Sequence, residues 1–137
     1  MRPLEEAREE FSKDLFATKL TGAVIDEIGE NYAKCSLKLM GDHYNAYGGV
    51  MGGAIYTLAD FAFAVASNFD KEQASVSIVS QANFLSATRG SVLYAEASLL
   101  KEGRNNCFYE VKVTDDLGKL IATLTFTGAH VPKKSAK

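Results

Sequence analysis

The sequence predicts an α+β fold in which a curved, antiparallel β-sheet wraps around one long, buried helix. Residues 53–68 are rich in Ala, Leu and Phe and apolar on nearly every side, so this helix needs cover all round. Four alternating strand patterns follow it, separated by short turns, which is typical of antiparallel pairing. A sheet supplies most of the cover, and a partner subunit could supply the rest. The length of 137 residues fits a single domain over residues 1–137.

The first part of the chain is predicted to form a helix and two strands. An amphipathic helix is expected within residues 1–18, because apolar residues recur there at helical spacing: Leu4, Ala7, Phe11 and Leu15. A short strand over residues 23–28 and a turn at 29–31 follow. The second strand alternates apolar and polar side chains from Ala33 to Leu39.

After the buried helix, four strands are predicted in hairpin succession. Their approximate spans are 74–87, 91–102, 106–114 and 119–131, and the breaks between them contain Gly, Asn and Asp. In the third of these strands one face carries Cys107, Tyr109, Val111 and Val113. Residues 132–137 form a short basic tail, and such tails are usually solvated.

Composition excludes several classes of protein. The formal net charge of −2 gives no basic surface for nucleic acid, and the chain lacks an apolar run of about 18 residues that could cross a membrane. The acidic opening segment lacks the apolar core of a signal peptide, so a cytoplasmic location is expected. Cys35 and Cys107 occupy strand positions and are predicted to be buried, reduced thiols. Two distant cysteines and two distant histidines predict no metal site.

The loop of residues 41–53 ends in two glycine pairs at the start of the buried helix. The first turn of a helix has N–H groups without intrahelical partners and carries partial positive charge. Glycine lets the carbonyl oxygen of a ligand approach that backbone closely. This combination is suited to an oxyanion hole for acyl transfer.

Asp60 lies within the apolar helix, where a lone carboxylate is costly unless it is paired or has a task. One interpretation is a local hydrogen bond to a hydroxyl such as that of Thr57; the other is catalysis. Asp60 follows Gly52 by eight residues, a rise of roughly 12 Å, whereas reacting groups must lie within about 3–3.5 Å of their targets. Two antiparallel helices in a dimer would bring the Asp60 of one subunit to the helix start of the other.

The stretch from His43 to Asp60 resembles the signature of hotdog-fold thioesterases of the PaaI-like (phenylacetic-acid degradation) branch. That pattern runs HxNxxGxxHGGxxxxLxD, and this chain matches it at His43, Asn45, Gly48, Gly52, Gly53, Leu58 and Asp60. The resemblance continues through SQANFLSATRG, AEASLLKEGR and FYEVKVTDDLGKLIATLTFTG, and covers roughly residues 20–130. It implies a hotdog fold and hydrolysis of acyl-CoA to free acid and CoA, with no cofactor beyond the coenzyme A of the substrate.

The resemblance also implies a role for each matching position. Asp60 would activate water or attack the thioester carbonyl directly, and the N–H of Gly52 would hold the oxyanion. Asn45 would hold the carbonyl or the water, and a strand hydroxyl, nearest to Ser77, would support the water. Ser75 and Ser80 are close alternatives to Ser77.

The predicted substrate-binding residues are His43, Met51, Gly53, Arg89, Gly90 and Arg104. His43 could instead serve the structure of its loop. Arg89, Gly90 and Arg104 lie in turns near where hotdog proteins receive the nucleotide of CoA, although solvated turn charges are the alternative. Met51 departs from the family, which usually has His there, and a thioether cannot donate a hydrogen bond.

Three functional hypotheses follow. The first is an acyl-CoA thioesterase, and the second, motivated by Met51, is a protein that binds acyl-CoA with weak or no turnover. The third, a hydratase, is weakened because the helix lacks the paired His and Asp. A homo-oligomer is expected, a dimer with shared sites and, by resemblance, a tetramer. The sequence does not specify the acyl group.

Overall fold

The computed structural model describes residues 1–133, so the predicted basic tail lies outside the described residues from position 134 onward. Two α-helices and six strands form the fold: α1 (Leu4–Phe11), β1 (Val24–Gly29), β2 (Tyr32–Lys38), α2 (Gly52–Asn68), β3 (Ala74–Phe84), β4 (Val92–Glu102), β5 (Asn106–Asp115) and β6 (Leu120–Val131). A π-helical segment (Phe16–Thr21) follows α1, and a short 3-10 turn (Gly41–His43) follows β2. The predicted α+β class is confirmed.

All six strands belong to one antiparallel sheet with the order β1-β2-β4-β5-β6-β3. The prediction of four strands in hairpin succession is wrong for the first of them, because β3 does not pair with β4. Residues 85–91 instead carry the chain across the sheet, and β3 pairs with β6 at the edge, with Ser80 opposite Phe126. Alternation within a strand indicates which face is buried, but it contains no information about a partner strand far away in the sequence.

The sheet covers α2 as predicted, since Leu58, Ala59 and Ala62 are completely buried. The ring of Phe63 stacks on Phe126, with 4.8 Å between the centroids. The C-terminal end of α2 is attached to β3 by Asn68, whose side chain donates to the carbonyl of Ser75 and accepts from its N–H. The helix therefore has a fixed position along the inner face of β3.

The N-terminal helix is shorter than predicted and ends at Phe11. The hydroxyl of Ser12 donates to the carbonyl of Glu9 at 2.6 Å, and that of Thr18 donates to Asp14 at 2.9 Å. Such local bonds compete with a regular helix. As a result Leu15, predicted on the buried face, is exposed to 59%.

Both cysteines are free and buried, which confirms the prediction of reduced core thiols. Within residues 1–133, none of the helices combines the length and the apolar character needed to cross a membrane.

Candidate active site

The loop before α2 is held by its own backbone. The N–H of Asn45 donates to the carbonyl of Gly49 at 2.7 Å, and the N–H of Met51 donates to the carbonyl of His43 at 2.8 Å. Gly48 has φ of +83°, a left-handed conformation that glycine adopts without the strain of a side chain. These bonds hold the loop in one conformation and so fix the direction in which the chain enters α2 at Gly52.

Within the part of the chain that the structure describes, two N–H groups at the start of α2 have no partner. Among residues 1–133, the N–H groups of Gly52 and Gly53 have no backbone acceptor, and the side chain of Met51 does not cap the helix. These donors lie at the positive end of the helix dipole. The ring of Phe84 lies 3.2 Å from where a Cβ on Gly52 would be, so the space beside Gly52 is narrow.

Asp60 lies on the face of α2 that lines a cavity of about 440 Å³. Within residues 1–133 its carboxylate accepts no hydrogen bond, and the hydroxyl of Thr57 donates instead to the carbonyl of Gly53 at 2.8 Å. The interpretation of Asp60 as a partner of Thr57 is therefore wrong. Burial raises the pKa of the Asp60 carboxyl, and the nearby charge of Asp14 adds to the increase. Both effects make the carboxylate a stronger base.

The serines of β3 are arranged in a row that faces α2. Ser75 Oγ lies 3.1 Å from His130 Nδ1, and Ser80 Oγ lies 2.6 Å from the hydroxyl of Tyr56. Ser77 pairs with Gly128, on the same face, and an irregularity in the pairing separates it from Val79. Of the three serines, only Ser77 has no hydrogen bond to another side chain within residues 1–133. Because α2 runs antiparallel to β3, with Tyr56 at Ser80 and Asn68 at Ser75, Ser77 lies beside the part of α2 between Tyr56 and Asn68.

The structure places Asn45 and His43 in structural contacts. The Oδ1 atom of Asn45 accepts from the N–H groups of Tyr47 and Gly49, which leaves only its NH2 group for a ligand. His43 is 7% exposed, its Nδ1 accepts from the N–H of Met40, and its Nε2 lies 2.6 Å from the carbonyl of Thr21. Both ring nitrogens therefore contact the backbone of the protein, as expected if His43 serves the structure of its loop.

Met51 and Gly53 lie at the helix start with Gly52. The side chain of Met51 is 57% exposed, and Gly53 is exposed with open space at its Cβ position. A ligand could approach both residues without displacing protein atoms.

The turns predicted to hold the nucleotide lie at opposite ends of β4. Arg89 and Gly90 precede this strand and lie at the same end of the sheet as Gly52, whereas Arg104 follows it. Eleven residues of strand span about 35 Å. One chain therefore does not bring Arg89 and Arg104 to the same ligand. A Cβ on Gly90 would lie 2.1 Å from Asp116 Oδ1, so this glycine also has a packing role.

A second cavity of about 440 Å³ lies at the C-terminal end of α2 and is lined by Ser75, Cys107 and His130. Of the residues considered for the site from the sequence, it contains only Ser75, the alternative to Ser77. Across residues 1–133, no group of three or more His, Cys, Asp or Glu side chains is arranged to hold a metal ion.

Sequence reasoning missed two residues at the site. Phe84 lies beside Gly52, and Asp14 shares the cavity of Asp60. Each is distant in sequence from the glycine motif, and no local pattern distinguishes an aromatic or an acid that faces a site from one that faces solvent.

Comparison with known proteins identifies a family whose model spans the residues of the candidate site. The family model of the thioesterase superfamily matches residues 47–122, which include both the helix start and Asp60. An Archaeoglobus fulgidus protein with a provisional esterase name is 38% identical over 104 residues, which cover 76% of this chain and 68% of that protein.

Solved structures show the same fold. The E. coli PaaI protein of the phenylacetic acid degradation operon superposes with a TM-score of 0.82 at 20% identity, over 96% of this chain and 99% of that one. A hypothetical thioesterase from Streptococcus pneumoniae, solved with coenzyme A, gives a TM-score of 0.82 at 23% identity, over 93% and 98% of the two chains.

A single antiparallel sheet around a buried helix, shared with the solved thioesterase structures, makes this a hotdog-fold protein. The chain belongs to the thioesterase superfamily, as the family model and the Archaeoglobus relative establish. The predicted family and fold are confirmed.

Proposed function

We propose that the protein hydrolyses an acyl-CoA thioester to a free acid and CoA. The observation that carries this proposal is the Asp60 carboxylate, which lines a cavity without a hydrogen bond from residues 1–133. A carboxylate kept in this state is available to a reactant. The coenzyme A bound to the Streptococcus pneumoniae protein of the same fold supports the choice of thioester.

In the proposed reaction, Asp60 removes a proton from water while the oxygen attacks the thioester carbonyl. The carbonyl oxygen becomes an oxyanion and accepts a hydrogen bond from the N–H of Gly52, in the region of highest positive helix potential. Collapse of the tetrahedral intermediate breaks the C–S bond, and the CoA thiolate takes the proton from Asp60. Direct attack by Asp60, followed by hydrolysis of the resulting anhydride, requires the same carboxylate and the same N–H of Gly52.

We propose that Ser77 and the NH2 group of Asn45 donate hydrogen bonds to the water or to the carbonyl.

A site shared between subunits is part of the proposal. Gly52 and Asp60 lie about 12 Å apart along α2, too far to act on one carbonyl. The edge strand β3 exposes Val76, Ile78 and Val79, each to 47% or more, and an exposed apolar edge strand favours pairing with another chain. We therefore propose a homodimer in which Asp60 of one subunit faces the Gly52 of the other, within a homotetramer.

The test is the substitution Asp60→Asn, which keeps the shape of the side chain and removes its basicity. Thiol release from a panel of CoA thioesters should fall by about 10²–10⁴-fold. Wild-type rates in the purified variant would refute the role of Asp60.

Thermal unfolding provides the control for folding. Since the folded protein raises the pKa of Asp60, the ionised carboxylate lowers stability increasingly as pH rises through the interval from its unfolded to its folded pKa. Asp60→Asn should therefore raise Tm at neutral pH, and the gain should disappear below about pH 4.

The exposed Met51 at the helix start favours a second candidate, a protein that binds acyl-CoA with little or no turnover. Titration calorimetry distinguishes the two. Binding of short, long and aromatic CoA esters with no thiol release by the wild type would replace the thioesterase proposal with the binding protein.

A further inference from the structure

The segment after α1 forms one wall of the cavity that contains Asp60. This segment contributes Asp14, Leu15 and Phe16, and α2 contributes Tyr56, Asp60 and Ala64 on the opposite side. The cavity is therefore bounded by two separate elements, and a group that contacts Asp60 also meets the side chains of residues 14–16.

The backbone of this wall is well held. The N–H of Asp14 donates to the carbonyl of Phe11 at 3.0 Å, and the carbonyl of Asp14 accepts from both the N–H and the hydroxyl of Thr18. Gly22, with φ of +97°, ends the segment where it enters β1. The position of Asp14 is thus fixed by three hydrogen bonds, although its carboxylate accepts none from residues 1–133.

The wall combines a charge with apolar surface. Leu15 is exposed to 59% and Phe16 to 66%, a costly arrangement unless these side chains contact an apolar group. Among residues 1–133, Asp14 and Asp60 are the only acids lining the cavity. Tyr56 is the only other titratable residue there, and within the described residues no Lys, Arg or His lines it. A second negative charge that enters this space would meet two carboxylates and no counter-charge.

We propose that Asp14 selects uncharged acyl groups by repelling substrates that carry a carboxylate at the far end of the acyl chain, while Leu15 and Phe16 bind hydrocarbon. The proposal rests on the proposed thioesterase function, because it assigns the acyl group to the cavity of Asp60. It names the substrate class as CoA esters of neutral, apolar acids.

Two substrates with the same number of acyl carbons isolate the charge. Hexanoyl-CoA ends in a methyl group and adipoyl-CoA ends in a carboxylate. Wild-type kcat/KM should favour hexanoyl-CoA, and Asp14→Asn should reduce this preference by about tenfold, as expected for removal of one like charge at a distance of several Å. Asp14→Lys should reduce it further. High salt should weaken the wild-type preference, because it screens the repulsion.

Glu9→Gln is the matched control. Glu9 is an exposed carboxylate on α1 that does not line the cavity, so its loss makes the same change in net charge. The preference for hexanoyl-CoA should stay at the wild-type value in this variant. An equal reduction in Glu9→Gln and Asp14→Asn would assign the effect to net charge and overturn the proposal.

The pH profile of kcat/KM provides a second test, because it would not change if Asp14 served only the structure. The Asp14 charge contributes to the raised pKa of Asp60, and among residues 1–133 the cavity lining contains no other acid and no Lys, Arg or His. Asp14→Asn should therefore shift the acid limb of kcat/KM for hexanoyl-CoA to lower pH. Glu9→Gln should leave the limb in place.

The outcomes separate this inference from the proposed function. An unchanged hexanoyl-to-adipoyl ratio in both Asp14 variants, with wild-type thermal stability, overturns the role of Asp14 while hydrolysis stands. If the wild type hydrolyses neither of these esters nor any short, long or aromatic CoA ester, the thioesterase proposal fails, and the ratio of the two calorimetric affinities tests the selection instead. Equal affinities in wild type and both Asp14 variants would then overturn it.

Discussion

At the scale of single residues, the site depends on groups that the fold leaves without partners. A folded protein pairs nearly all its buried polar groups, and an unpaired one lowers stability. Here the N–H groups at the start of α2 and the carboxylate of Asp60 have no acceptor or donor within residues 1–133. The first turn of α2 also lacks the Ser, Thr, Asp or Asn cap that stabilises most helices.

The N–H of Gly52 can be removed without removing the helix. Proline has no N–H and is well tolerated at the first helical position, and Met51, with φ of −63° and ψ of 132°, already has the extended conformation that precedes proline. Gly52→Pro should lower kcat by about 10²–10³-fold, the usual effect of losing one oxyanion donor. The measurement is steady-state thiol release with the best CoA ester.

Gly52→Ala is the control, because it keeps the N–H and adds the same Cβ next to the ring of Phe84. Any loss in Gly52→Ala reports crowding alone. Equal losses in the two variants would show that the donor has no role in the reaction.

At the scale of elements, the connection from β3 to β4 is held to the β5–β6 turn by two acids. Thr88 donates to Asp115 at 2.6 Å, and Ser91 donates to Asp116 through both its N–H and its hydroxyl. Gly90 lies against these carboxylates, where a side chain has no space. This junction fixes the end of the sheet nearest to the helix start.

Gly90→Ala tests whether this glycine serves packing or the substrate. Its Cβ would lie 2.1 Å from Asp116 Oδ1, so we expect a loss of about 1–3 kcal/mol in the free energy of unfolding, measured by urea denaturation. Gly41→Ala, with no atom within 4 Å of its Cβ, should change stability by less than about 0.5 kcal/mol. An increase in KM for CoA esters at unchanged stability would instead support substrate binding by Gly90.

The elements that could be predicted correctly are those marked by a pattern within their own residues. The alternation in β2 and β5 and the apolar content of α2 correctly indicated three elements and their buried faces. The edge position of β3 could not be predicted, because it depends on pairing with β6 at long range. The early end of α1 depends on hydroxyls at Ser12 and Thr18, whose competing bonds are weak signals in a sequence.

The residues of the candidate site could be predicted only in part. The motif points to the helix start and Asp60, but it gives no sign of Asp14 or Phe84, which lie next to these residues only through the tertiary fold. Arg89 and Arg104 were both predicted to lie in turns near the nucleotide of CoA, and the length of β4 keeps these turns apart within a chain.

At the scale of the whole molecule, the proposed dimer makes a prediction that a single chain cannot satisfy. Co-expression of Asp60→Asn and Gly52→Pro with two different tags yields mixed dimers that can be purified through both tags. If each site takes Asp60 from one subunit and Gly52 from the other, one of the two sites in a mixed dimer is intact. Its activity should be about half that of the wild type.

Sites formed within single chains give the opposite result, since both sites of a mixed dimer would then contain a defect. If the mixed dimer has no more activity than either variant alone, the shared site is refuted. Light scattering on the wild type supplies the companion measurement, and a stable monomer with full activity would refute the dimer.

The pairing of β3 with β6 also has a consequence for the order of events during synthesis. β3 lies in the first two thirds of the chain, yet its only strand partner in the described sheet is the last strand. While the ribosome is still adding β4 and β5, β3 has no strand partner, and such long-range pairing is slow. The row of serines beside α2 is therefore completed only when Leu120–Val131 has emerged, so a nascent chain that stops earlier contains every proposed catalytic residue but not the site.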